Sequence, residues 1–89
     1  MFKVRWERNA LDELTMLWTQ AGSGLRQRIT AATAELDWQL QSDPLGSSES
    51  RPGGRRVSFV SPLGATFRIE PDGQTVSVLR VWLFRLRAK

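Results

Sequence analysis

The 89-residue sequence contains no cysteine, no histidine and no tyrosine. Without cysteine there is no disulfide, no thiolate ligand and no thiol nucleophile. With histidine missing too, the usual ligands of zinc and related metals are gone, so neither a metal site nor a cofactor is expected. The same absences narrow the acid–base chemistry. Neither imidazole nor phenol is available, and the two lysines, Lys3 and Lys89, sit at the ends of the chain. The other basic residues are all arginine, which stays charged and is a poor proton shuttle. No apolar run approaches the roughly 20 residues that span a bilayer. The opening MFKVRWERNA lacks the apolar stretch of a signal peptide. A cytoplasmic location with no membrane partner is the expectation.

Hydrophobic residues make up 40% of the chain, with four Trp and four Phe, enough for the core of a single compact domain spanning 1–89. The net charge of +4 is unevenly spread. Residues 1–44 hold five basic and six acidic side chains, whereas residues 45–89 hold eight basic and three acidic. Codon bias explains an excess of arginine over lysine but not this asymmetry. A basic C-terminal half implies an anionic partner, either nucleic acid or an acidic protein segment.

The chain begins with a strand: Phe2, Val4 and Trp6 alternate with Lys3, Arg5 and Glu7. A first helix should follow, capped by Asn9, with Asp12 and Glu13 in its first turn and Ala10, Leu11, Leu14, Leu17, Trp18 and Ala21 on one side. Gly22-Ser23-Gly24 ends it. A second helix, capped by Ser23, carries Leu25, Ile29, Ala32, Leu36 and Leu40 on one face and stops at Ser42-Asp43-Pro44. So short a link predicts an antiparallel hairpin. Trp38 lies opposite the apolar stripe, either against the helix edge or as a surface anchor. Residues 42–54 read as a long polar loop. Three strands follow: Arg56–Val60, Ala65–Glu70 and Thr75–Arg85. Turns at Ser61-Pro62-Leu63-Gly64 and Pro71-Asp72-Gly73 separate them. Strict alternation puts Arg80 on the face of Val78 and Trp82. The expected class is α+β, a helical hairpin on a four-stranded, mainly antiparallel sheet.

At the mouth of the first C-terminal strand stands SRPGGRRVSF, with Arg51, Arg55 and Arg56 around Gly53 and Gly54. Glycines let a backbone approach a phosphate, and guanidinium groups grip it with paired hydrogen bonds. The same charges also suit a solvated loop beside an edge strand.

This order of elements, with ALDELTMLW, LDWQLQSDP, GSSESRPGGRRV, PLGATFRIEPDG and VSVLRVWLFR, resembles the RelE/ParE superfamily across nearly the whole chain. The family consists of toxins of type II toxin–antitoxin modules, each held by a cognate acidic antitoxin. RelE-like members cut mRNA on the ribosome, and ParE-like members poison DNA gyrase. The closing VLRVW looks rather like the ParE side. The resemblance implies a growth-inhibiting toxin, first as a ribosome-dependent endoribonuclease. The alternatives are a non-catalytic gyrase inhibitor, or a degenerate member that only binds its antitoxin.

The resemblance places Arg55 or Arg56 at the family's basic positions after the loop and Arg85 at the basic position ending the last strand. Glu49, Glu70 and Asp72 are the carboxylates left for proton transfer. The resulting catalytic candidates are Arg55, Arg56, Arg85 and Glu49. Arg51, Arg68, Arg80 and Arg87 join the three arginines as nucleic-acid contacts. Trp38, Leu83, Phe84 and Leu86 are the apolar candidates for antitoxin binding. Gly64 stands where the family carries an arginine on the middle C-terminal strand.

Overall fold

The computed structural model describes residues 1–84, so Arg85, Leu86 and Arg87 lie outside the described residues. Strand β1 (Lys3–Trp6) leads into helices α1 (Arg8–Gln20) and α2 (Ser23–Ser42). Strands β2 (Glu49–Arg51), β3 (Arg55–Val60), β4 (Leu63–Ile69) and β5 (Thr75–Leu83) follow, with a 3-10 turn, Pro52–Gly54, between β2 and β3. They form one sheet in the order β1-β5-β4-β3-β2. Only the β1–β5 pair is parallel. The α+β class stands, but the sheet has five strands instead of four. The fifth, β2, lies inside the segment that reads as loop. Its three residues, Glu-Ser-Arg, have no apolar alternation to announce a strand. They pair with β3 because Gly53 and Gly54, at φ of 80° and 75°, turn the chain straight back. A short charged strand also suits a sheet edge.

The helical hairpin covers one face of the sheet. Ala10, Ile29, Ala32, Leu36 and Leu40 bury themselves against Leu63, Ala65, Phe67, Val76, Val78 and Val81. Each fully buried Val, Leu, Ile or Phe among them contributes about 1.5–3 kcal/mol. The helices run antiparallel: Trp18 meets Arg26 and Thr30, while Trp6, before α1, hydrogen-bonds Asp37 near the end of α2. The expected α2 stripe is the observed one. On α1 the stripe is narrower than expected, for Leu11 and Trp18 are 45% and 43% exposed. The caps also differ. Glu7 and Gly22 occupy the N-cap positions, with no side-chain cap bond at either. Asn9 is instead inside α1, where its side-chain amide donates to the Leu79 carbonyl at 3.3 Å. Between β3 and β4 the turn is tighter than expected, since Leu63 and Gly64 already belong to β4.

A bulge corrects the alternation in β5. Phe67 pairs with Val78 and Thr66 with Arg80, leaving Leu79 as an extra residue. Val78 therefore points into the core, while Arg80 turns to the other face. Beyond the bulge, β1 no longer flanks β5, and α1 takes its place. Glu13 Oε1 accepts the Val81 backbone N–H at 2.9 Å, and Oε2 pairs with Arg80 Nε at 2.7 Å. One carboxylate thus satisfies an edge N–H that no strand reaches and fixes a cation beside it.

At the other end of β4, Glu70 sits among Ser77, Arg68 and Arg5. The Ser77 hydroxyl, then Arg68, lowers its pKa from the ordinary 4.5. Asp72 is lowered as well, chiefly by the backbone N–H of Gln74 and by Thr75, which together close the turn into β5.

Two outcomes are expected. Glu13→Ala should destabilise the fold by about 1–3 kcal/mol in urea titration, because the Val81 N–H loses its acceptor. Glu13→Gln, which keeps an acceptor, should cost less. The lowered carboxylates bind fewer protons folded than unfolded. The stability they add is complete above pH 4.5 and is lost as pH falls through their depressed folded values. Urea midpoints measured from pH 6 to 2 should drop over that acid range, and Glu70→Gln should flatten the drop.

Candidate functional site

Among the described residues nothing covers the sheet face opposite the helices, and the register arranges that face in rows. Arg51 lies opposite Arg55 across β2–β3. Continuing the β3–β4 register one residue past Arg56↔Phe67 sets Arg55 beside Arg68. Arg68 lies opposite Ser77, which is opposite Arg5. One row across all five strands therefore reads Arg51, Arg55, Arg68, Ser77, Arg5, spanning about 19 Å at ordinary strand spacing. The next row is Glu49, Val57, Thr66, Arg80. The third is Phe59, Gly64, Trp82.

Like charges directly opposite in a sheet repel, and the carboxylates on this face are spaced along the row to offset it. Arg51 pairs with Glu49 at 3.2 Å, Arg68 with Glu70 at 3.1 Å, and Arg5 with Glu7 at 2.8 Å. Ser77, fully buried, donates to Glu70 and accepts from Arg5 at 3.3 Å. Arg55 has no ion-pair partner among the described residues. It is an exposed cation between Arg51 and Arg68, the position where an added anion gains most. The pairs are solvent-exposed, so each adds little to stability.

The sequence candidates separate accordingly. Arg51, Arg55, Arg68 and Arg80 share the open face with Glu49, whose side chain is 68% exposed. Arg56 does not. One residue along β3 from Arg55, it lies in the row of Phe67 and Val78, toward the helices. There its guanidinium donates to Ser48 Oγ at 2.7 Å and to the carbonyls of Leu45 and Ser48. It ties down the segment between α2 and β2, with Ser58, which donates to the Ser47 carbonyl. Its expected place in a phosphate cluster is corrected by strand alternation. Arg5, which the sequence reading did not single out, joins the row because β1 is hydrogen-bonded to β5. Only tertiary pairing could reveal that.

Phe59 and Trp82 are a second pair the sequence reading passed over. Gly64 explains their arrangement. A Cβ built on it would stand 2.6 Å from Trp82 Cε2, 2.7 Å from Nε1 and 2.8 Å from Cζ2. The indole therefore occupies the space a side chain at Gly64 would need, and an arginine there is sterically excluded. Phe59 meets Trp82 edge-to-face at 84° and Phe84 at 73°, with centroids 6.2 and 5.0 Å apart. Of the apolar candidates, Trp38 is 56% exposed on α2 and Leu83 is 37% exposed at the end of β5. Phe84 packs on Phe59. A further apolar feature lies between the helices, a groove of about 420 Å³ lined by Leu14, Trp18, Ile29, Thr30 and Thr33 among others.

No protein-family model and no curated protein matches the sequence. Solved structures do match. A chain of the RelBE2 toxin–antitoxin complex of Mycobacterium tuberculosis is 25% identical, with a TM-score of 0.72, covering 93% of this chain and 98% of its own. A chain of the chromosomal ParDE system of P. aeruginosa is 20% identical, also with a TM-score of 0.72, covering 96% and 98%. The isolated E. coli RelE toxin is 17% identical with a TM-score of 0.64, covering 98% of this chain and 88% of its own. The helical hairpin on one face, the parallel β1–β5 pair in the sheet and these near full-length matches place the chain in the RelE/ParE superfamily.

Proposed function

We propose that the chain is the toxin of a type II toxin–antitoxin pair and that it cuts ribosome-bound mRNA at the end of the open face formed by Glu49, Arg51 and Arg55. The observation that carries this reading is the facing pair of arginines at the β2 end of the row, with Glu49 beside it. Arg51 and Arg55 stand directly opposite each other, and Glu49 pairs with Arg51. A phosphodiester seated between the two guanidinium groups relieves their repulsion. The charge that builds on phosphorus during cleavage is then stabilised by cations already in place.

The chemistry is an internal displacement. The ribose 2′-oxygen attacks phosphorus, the bond to the 5′-oxygen breaks, and a 2′,3′-cyclic phosphate forms. Glu49 takes the proton from the 2′-hydroxyl. The sequence has no histidine or tyrosine to protonate the leaving oxygen, so that proton comes from solvent. The ribosome supplies the in-line geometry, and positioning of this kind is worth up to about 7–11 kcal/mol. The antitoxin, in this reading, is an acidic amphipathic segment whose carboxylates occupy the arginine row. Its aliphatic side chains cover exposed apolar surface such as Trp38, Leu83 or the groove beside Trp18.

A second reading is favoured by Gly64 and Trp82. An apolar surface where the family carries an arginine suits a protein target, which is the ParE-like inhibition of DNA gyrase without catalysis.

Primer extension on mRNA from cells expressing the chain, run beside a gyrase supercoiling assay, separates the two. Cuts in phase with codons support the nuclease, and unaltered mRNA with blocked supercoiling supports gyrase. Under the nuclease reading, Glu49→Gln should slow cleavage by about 10²- to 10⁴-fold, as loss of a general base does. Arg55→Glu should also weaken the antitoxin complex and make it less dependent on salt, whereas Arg56→Gln should act on thermal stability instead.

A further inference from the structure

We propose that Trp82 and Phe59 form a base-stacking niche that holds a nucleotide neighbouring the one cleaved. The inference rests on the nuclease reading and adds a subsite to it. The geometry of Gly64 carries it. Cε2 of Trp82 is a ring-fusion carbon recessed between Nε1 and Cζ2, yet it is the atom nearest to the position of a Gly64 Cβ. A glycine approaching the rim would meet the two outer atoms first. The indole therefore lies with one π-face down on the β4 backbone, and its other face is directed away from the sheet. Phe59 stands nearly perpendicular to it, at 84°, and is itself 45% exposed. Phe84 packs on Phe59 edge-to-face at 73°. The result is a flat aromatic floor with an upright aromatic wall.

Such a surface is suited to a planar ring, and the charges around it say which kind. Arg80, already paired with Glu13, and Thr66 lie in the next row, and beyond them is the row of Arg51, Arg55 and Arg68, in which Arg55 has no carboxylate partner among the described residues. An aromatic platform bordered by guanidinium groups is the arrangement that binds single-stranded nucleic acid, through stacking of bases and pairing with phosphates. A wholly apolar protein segment gains nothing from the cations, and an acidic amphipathic one, such as the antitoxin, competes with RNA for the same face. Arg55 and Phe59 are four residues apart on β3, about 13 Å. A base on Trp82 therefore belongs to a flanking nucleotide, not to the one whose phosphate sits between Arg51 and Arg55. The niche would hold the strand in register and favour nucleotides that stack well at that position.

The test uses ribosomes programmed with mRNAs that carry one abasic residue at successive positions around the cleavage site. Single-turnover cleavage is followed by primer extension for the native chain, Trp82→Ala and Phe59→Leu, each confirmed folded by thermal melting. Phe59→Leu keeps apolar volume and removes only the wall. At one flanking position, loss of the base should slow the native chain by about 5- to 150-fold, the range expected for one lost stack. The same abasic residue should barely affect Trp82→Ala, which has already lost the floor, and should slow Phe59→Leu by less than it slows the native chain. If the native chain cuts every mRNA with equal rates, or the abasic penalty is unchanged in both variants, the niche is overturned and the nuclease reading survives. If the native chain cuts no mRNA while Trp82→Ala abolishes inhibition of gyrase, both fall, and Trp82 belongs to a protein interface.

Discussion

Hydrogen bonding of β5 to β1 on one side and β4 on the other is the constraint on which the molecule depends. The first strand has four residues and no partner nearby in sequence. It exists only because Thr75–Val78 lies beside it in parallel. That pairing pulls the helical hairpin across the sheet and gives its apolar stripes Val76, Val78 and Phe67 to cover. The bulge at Leu79 ends the arrangement. Past it β5 keeps β4 but has no strand on the β1 side, and Glu13 and Asn9 on α1 bond to that exposed edge of the backbone. A helix thereby completes what a longer β1 would have done, and it also holds Arg80 on the open face.

The two faces of the sheet are built by different physics. The covered face is apolar and close-packed, where a change of one methylene is felt. The open face is a set of cross-strand rows in which cations outnumber carboxylates. Glu49, Glu70 and Glu7 each neutralise a guanidinium along the first row, and Arg55 is left between two others. A face arranged this way is held together but not satisfied, which is the electrostatic condition for binding an anion. Trp82 sets its other limit. By lying over Gly64 it makes the upper part of the face flat and aromatic.

Much of this was legible in the sequence. The α2 stripe, the inward set Ala65, Phe67 and Ile69, and the turn at Pro71-Asp72-Gly73 follow from periodicity and turn chemistry, which are local. β2 was not legible, because a three-residue polar edge strand is specified by the turn that follows it and by its partner. The helix starts were misread because Asn9 and Ser23 are good caps by type. Asn9 bonds a strand carbonyl instead, a contact about seventy residues away in sequence. For the site, the concentration of charge in the second half pointed to the strands on which Arg51, Arg55, Arg68 and Arg80 share the open face. Alternation alone assigned Arg80 to the wrong face, since one bulged residue inverts every position after it.

The sequence by itself determined the core stripes, the excess of arginine after residue 44, and the absence of imidazole, thiol and phenol, because these depend on residue type and short-range spacing. Which arginines share a surface was decided only by the tertiary structure. Arg55 and Arg56 are neighbours in the chain yet lie on opposite sides of a strand. Arg5 and Arg68 are sixty-three positions apart yet stand in one row. Strand pairing and register fix those placements, and both are long-range properties that a linear pattern does not encode.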